Sequence, residues 1–198
     1  LGATRSFGNG GETLLLQGVP NREAILVIRN GTLDVNGEVH LGESGLPAEI
    51  SLQSSIDDED VIEQGRLFVH GLYLQPDSGA LDVSLFLAHP EPALKIFDVA
   101  PRIRGVLGIN LEDSDQLQAG DILPIVTSEY VDDETGNFSV VMIHDELPDG
   151  LYMRIEYSSS PNEDGEYVIY AEVASLDGLF GYGDPNGTSV AGLATSVS

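Results

Sequence analysis

The chain has 198 residues, 33 acidic against eight basic, giving a formal net charge of −25, with 41% hydrophobic residues and no cysteine or tryptophan. That field opposes nucleic acid, whose phosphates call for a broad basic face, and the absent cysteine excludes disulfides, thiolate metal sites and a cysteine nucleophile. The hydrophobic fraction supports a packed core, which a chain disordered by charge lacks.

Residues 1–11 are Gly-rich and nearly uncharged and read as an extended N-terminal arm. From residue 12 the periodicity is that of strands. Ala24–Ile28 is a β-branched apolar run, and Thr32–Val35 alternates after it. Arg66–Leu74 alternates through most of its length, followed by Asp82–Ala88, Leu94–Val99, Ile122–Thr127, Asn137–His144, Leu151–Tyr157 and Glu166–Val173. Turn chemistry separates these runs at Asn30-Gly31, Asn36-Gly37, Asp77-Ser78-Gly79, Thr135-Gly136-Asn137, Asp149-Gly150 and Asn162–Gly165, because Gly and Asn take positive φ at low cost. The one helical candidate is the short acidic stretch Asp57–Gln64. Nine to eleven short strands predict an all-β fold, a single antiparallel β-sandwich of jelly-roll type over residues 12–177. Residues 178–198 form a Gly-rich uncharged tail with Phe180 and Tyr182 set among glycines.

Lys95 is the only lysine. An acidic surface without interspersed lysine repels itself in dilute buffer and is at ease where salt screens it, the Debye length falling to about 3 Å at 1 M. The sequence therefore reads as that of a protein working in brine, from a halophile, with an acidic calcium-binding extracellular protein as the alternative. No apolar run approaches the roughly 18–20 residues that span a bilayer. The first residue is Leu1, which reads as a processed or truncated start, and Asn30, Asn137 and Asn186 each open an Asn-x-Ser/Thr glycosylation sequon. Together these place the protein outside the cell, at the cell surface or in a virion.

No catalytic constellation is visible. His40, His70, His89 and His144 are scattered, with none at ligand spacing from another. His70 and His144 fall inside strand patterns and read as structural. His144-Asp145 supplies a base beside a carboxylate, but no Gly-x-Ser-x-Gly elbow brings a serine to it. Two acidic loops offer oxygen ligands to calcium or another inorganic cation, Asp57, Asp58 and Asp60 in one and Asp132, Asp133 and Glu134 in the other. Neither follows the spacing of an EF-hand loop. Arg102 and Arg104 flank Ile103 and point the same way if extended, an ion-pairing strip suited to the acidic face of another copy.

The expectation is a non-enzymatic structural subunit without a cofactor, forming homo-oligomers or assembling with related subunits into a virion coat or a cell-surface filament or layer. Charge is depleted at interface cores, so the uncharged termini are the expected contacts, with Phe7, Phe180 and Tyr182 as anchors, Ala191, Gly192 and Ala194 permitting close approach, and Leu193 in the same interface segment. The alternative is a calcium- or glycan-binding β-sandwich module of a secreted protein.

Overall fold

The computed structural model describes residues 5–29, 31–42, 45–56, 62–87, 91–112 and 114–176. The chain is all-β. Its strands are β1 (Arg5–Leu16), β2 (Ala24–Arg29), β3 (Gly31–Leu41), β4 (Ala48–Ile56), β5 (Ile62–Val69), β6 (Tyr73–Gln75), β7 (Gly79–Leu85), β8 (Leu94–Ile96), β9 (Arg102–Ile103), β10 (Val106–Leu111), β11 (Ile122–Ser128), β12 (Val140–Ile143), β13 (Leu151–Tyr157) and β14 (Tyr167–Ser175). A single 3-10 turn, Ser114–Gln116, interrupts them.

The pairing corrects the expected antiparallel sandwich. Ten of the thirteen strand pairings among the described residues are parallel. They fall into three ladders that the chain visits in turn, so that it winds as a β-solenoid. The first ladder stacks the start of β1 on β3, then β5, β8 and β11. The second carries the ends of β1 and β3, then β6 and β9. The third runs β2, β4, β7, β10, β12. Between the described strands, antiparallel pairing occurs at the turn from β4 into β5 and at β13 and β14, which extend the first ladder beyond β11.

Alternation along a strand says which side chains point inward and nothing of the direction in which the neighbouring strand runs. In a solenoid one side of each ladder faces the core and the other faces water, so parallel strands show the period of two normally associated with antiparallel sheets. Inward residues of like kind stack coil upon coil. On the third ladder Leu26, Ile50, Leu81, Leu107 and Val141 form one column, and Ile28, Leu52, Val83, Ile109 and Ile143 the next. On the first, Leu33, Leu67, Leu94 and Val126 do the same. Ile50, Leu52, Leu67, Leu81, Leu94, Leu107 and Ile109 are fully buried, each contributing about 1.5–3 kcal/mol of burial free energy.

Two polar side chains are sealed into this core. Tyr73 Oη donates to Gln75 Oε1 at 2.8 Å, and Gln75 Nε2 donates to the Val106 carbonyl at 2.9 Å. The amide thus tethers the second ladder to the third, and burial pushes the Tyr73 phenol far above its ordinary pKa.

Two boundaries differ from the sequence reading. β1 starts at Arg5, so the expected arm boundary at residue 11 falls within a strand. The helical candidate Asp57–Gln64 ends in β5, whose first residues are Ile62–Gln64, and residues 57–61 lie outside the described ones.

Candidate functional site

The outward side of the third ladder carries a hydrogen-bonded polar strip, because successive coils place polar residues at matching register. Arg29 on β2 donates to Gln53 Oε1 at 2.7 Å, Gln53 donates to Ser51 Oγ at 3.1 Å, and Ser51 donates to Asp82 Oδ2 at 3.2 Å. From the other side, Asn110 Nδ2 donates to Asp82 Oδ1 at 3.1 Å, and His144 Nε2 lies 3.6 Å from the same oxygen. Gly108 makes this convergence possible. It stands in register between Asp82 and Met142, and a Cβ there would collide with Asp82 Oδ1 and crowd His144 Nε2. Beside the strip, Gln53, Ser54, Asp82, Ser84, Asn110, Leu111, Glu112 and Asp145 line an open polar depression of about 340 Å³. Burial, reinforced by repulsion from Asp82 and Glu23 and opposed by His144, raises the pKa of nearby Glu49.

No hydroxyl in this arrangement is set against a base. The carboxylate beside His144 is Asp82, from β7. Asp145, its sequence neighbour, accepts instead from the Leu111 amide at 2.6 Å. Ser51 donates to Asp82 and makes no bond to the imidazole, so its hydroxyl is not set against a base, as an activated nucleophile needs. The remaining groups are amides, hydroxyls and carboxylates, suited to hydrogen-bonding a hydroxylated ligand. His70 has a structural setting, stacked on Phe97 with ring centroids 4.4 Å apart and Nε2 3.1 Å from Asp34 Oδ1. His40 Nε2 contacts Glu38 at 2.9 Å, and His89 lies outside the described residues.

The basic residues are mostly engaged within the chain. Arg66 pairs with Glu91 and Lys95 with Glu166, and Arg154 bonds Glu172 at 2.8 Å and Glu156 at 3.1 Å. Arg102 forks onto both oxygens of Asp132 at 2.9 and 3.0 Å and reaches Glu134 at 3.1 Å. Arg104, beyond the buried Ile103, is exposed.

Asp132 is therefore the anchor of a turn. Besides Arg102 it accepts from the Glu134 amide at 2.9 Å, and that bond, followed by the Arg102 guanidinium, holds its carboxyl below the usual range. Asp133 and Glu134 are exposed. Among the described residues no three His, Cys, Asp or Glu side chains converge as metal ligands, and Asp57, Asp58 and Asp60 lie outside them. Because the folded-state pKa of Asp132 is depressed, its contribution to stability is present above the unfolded value of about 3.9 and is lost as pH falls through the folded value. A carbon-detected NMR titration is expected to place the Asp132 midpoint below those of exposed aspartates, and Arg102→Ala to move it upward. An unchanged midpoint would mean that the fork does not persist in solution.

A second concavity lies where the Asp132 turn meets the β13–β14 hairpin. Pro101, Val126, Val131, Tyr157, Tyr167, Val168 and Ile169 supply apolar walls to a cleft of about 210 Å³, with Ser128, Asp132, Thr135, Asn137 and Ser158 as its polar lining. Tyr157 Oη accepts from the Phe138 amide at 3.0 Å, which fixes the hairpin against the turn.

Of the other expected site residues, Asn137 is exposed in its sequon, whereas Asn30 and Asn186 are outside the described residues. Phe7 pairs with Val35 within β1, and Phe180, Tyr182, Ala191, Gly192, Leu193 and Ala194 lie outside the described residues. The Ser51–Asp82–Asn110 convergence was not foreseen. Its members come from three coils and meet only once the coil register is known. No family model matches the chain, and a search of curated proteins finds no match. No described helix is long and apolar enough to cross a membrane.

Proposed function

We propose that the chain is a non-enzymatic structural subunit, adapted to high salt, that assembles with copies of itself outside the cell in a filament or layer at the cell surface. The observation that carries this reading is that, among the described residues, the third ladder is open at both edges. There β2 pairs only with β4 and β12 only with β10, and both edges bear aliphatic side chains in solvent, Ile25 and Val27 on one and Val140 and Met142 on the other. Unpaired strand edges invite pairing with another chain, and in a chain of net charge −25 such apolar positions are where repulsion between copies is least. The virion setting drew its support from a jelly-roll strand count, which a solenoid does not supply.

In 3 M NaCl the protein is expected to sediment as a species larger than a monomer. The pairs Ile25→Glu with Val27→Glu, and Val140→Glu with Met142→Glu, should each weaken association at least about tenfold, since desolvating two new charges costs several kcal/mol. A wild-type chain that stays monomeric at every salt concentration would overturn the reading. The polar depression beside Asp82 favours a second one, a glycan-binding module, to which that monomer would point.

A further inference from the structure

We propose that the cleft between the Asp132 turn and the β13–β14 hairpin receives the Phe180 side chain of a neighbouring copy, an inference that rests on the assembly reading above and names its contact. The cleft has the composition of a ligand pocket, apolar walls with several polar groups in the lining, and its volume of about 210 Å³ exceeds the roughly 150 Å³ of a cavity known to hold benzene. Part of its border is apolar. Val131, which lines the cleft, and Tyr130 beside it are both more than 40% exposed, and the exposed Val99 lies two residues before the lining Pro101. Asp132, the one carboxylate among the lining residues, is matched by Arg102, while the exposed Glu129, Asp133 and Glu134 flank the mouth, so the contact needs the screening of high salt.

The chain holds a segment with the complementary chemistry. Gly178-Leu179-Phe180-Gly181-Tyr182-Gly183 is uncharged, between Asp177 and Asp184, and its glycines let a ring enter without competing bulk. Reach decides whose Phe180 is used. The cleft contacts Tyr167, Val168 and Ile169 at the start of β14, whereas the chain leaves β14 at the opposite end, where Leu176 donates to the Gly150 carbonyl. From Leu176 back to Val168 along the strand is roughly 26 Å at about 3.3 Å per residue, and four residues from Leu176 to Phe180 span at most about 14 Å. A subunit's own Phe180 falls short, so the ring comes from a second copy. Tail into cleft closes as a reciprocal two-fold dimer or a ring, or runs on as an open filament, according to the rotation between copies.

The test uses the full chain carrying Phe180→Ala, whose cleft is then free of competing tails, and a fluorescein-labelled peptide of residues 176–184, with anisotropy read in 3 M NaCl. The peptide is expected to bind, its Phe180→Ala version to bind at least tenfold more weakly, and a receptor carrying Val131→Glu as well to lose binding. Val131 is exposed, and circular dichroism checks that its replacement leaves the fold intact. In sedimentation, Phe180→Ala and Val131→Glu chains should each give smaller species than the wild type. Failure of the peptide to bind, equal binding to the Val131→Glu receptor, or wild-type assembly by the Phe180→Ala chain overturns the proposal. The last outcome leaves the assembly reading standing, with the strand edges as its contacts. Phe180-dependent peptide binding by a chain that never assembles supports the cleft and overturns the assembly reading instead.

Discussion

Gly105→Ala is expected to cost about 3 kcal/mol or more, a large fraction of the roughly 5–15 kcal/mol that holds an ordinary domain folded. Gly105 turns the chain between β9 and β10 with φ at 67°, a left-handed conformation that costs an L-residue roughly 1–2 kcal/mol. A methyl group there would also collide with the backbone carbonyls of Gly79 and Pro76, and neither is the movable end of a side chain. Overpacking of that kind adds about 1–3 kcal/mol. The same residue's carbonyl accepts from Ser139 at 2.8 Å and Val140 at 3.1 Å, so any shift that relieves the collision pulls on β12. Gly150→Ala is the control, because its φ is 81° but nothing lies within 4 Å of the added carbon. Urea unfolding in 3 M NaCl should show the Gly105 variant losing at least twice as much as the Gly150 variant. Equal losses would mean that backbone strain alone governs these corners and that coil packing is looser than described.

Salt is the second large effect. Arg66, Lys95, Arg102 and Arg154 already have acidic partners, so among 33 acids most have no cation to meet, and mobile ions are what remains to screen them. Stability is expected to rise by about 2 kcal/mol or more between 0.1 and 3 M NaCl, which for a chain of this size moves the melting midpoint by about 4–8 °C. A midpoint that stays flat across that range, followed by circular dichroism, would remove the brine reading. If millimolar Ca²⁺ restored stability without NaCl, the calcium alternative would take its place.

The sequence reading located strands well and neighbours badly. β2, β11, β13 and β14 lie where apolar runs predict them, since alternation and β-branched content reflect one face's burial and need no knowledge of the partner. β4 and β10 escaped notice. β4 ends in the polar Gln53-Ser54-Ser55, and β10 carries Gly108 in its middle, the residue that leaves room for Asp82 and His144. The turn signals were real but served another purpose. Asn162–Gly165 does make the hairpin between β13 and β14, whereas Asn36-Gly37 lies inside β3 and Asp77-Ser78-Gly79 rounds a corner between ladders. Parallel stacking was illegible because the coils differ in length. Ala24 meets Ala48, but Ala48 meets Gly79, and corners that absorb unequal numbers of residues leave no fixed repeat to find. The polar strip on the third ladder was hidden for the same reason.

The engagement of the basic side chains bears on durability. Proteases that cut after lysine or arginine need that residue in a segment they can draw out, and nicking concentrates at loop tips. Here Arg66 and Lys95 lie in strands hydrogen-bonded on both sides, Arg154 in a hairpin and Arg102 in a short strand anchored by its own turn. Among the described residues only Arg22 and Arg104 stand at corners without a side-chain partner. The same pairing that neutralises the few cations thereby also makes the chain a poor substrate for trypsin-like digestion.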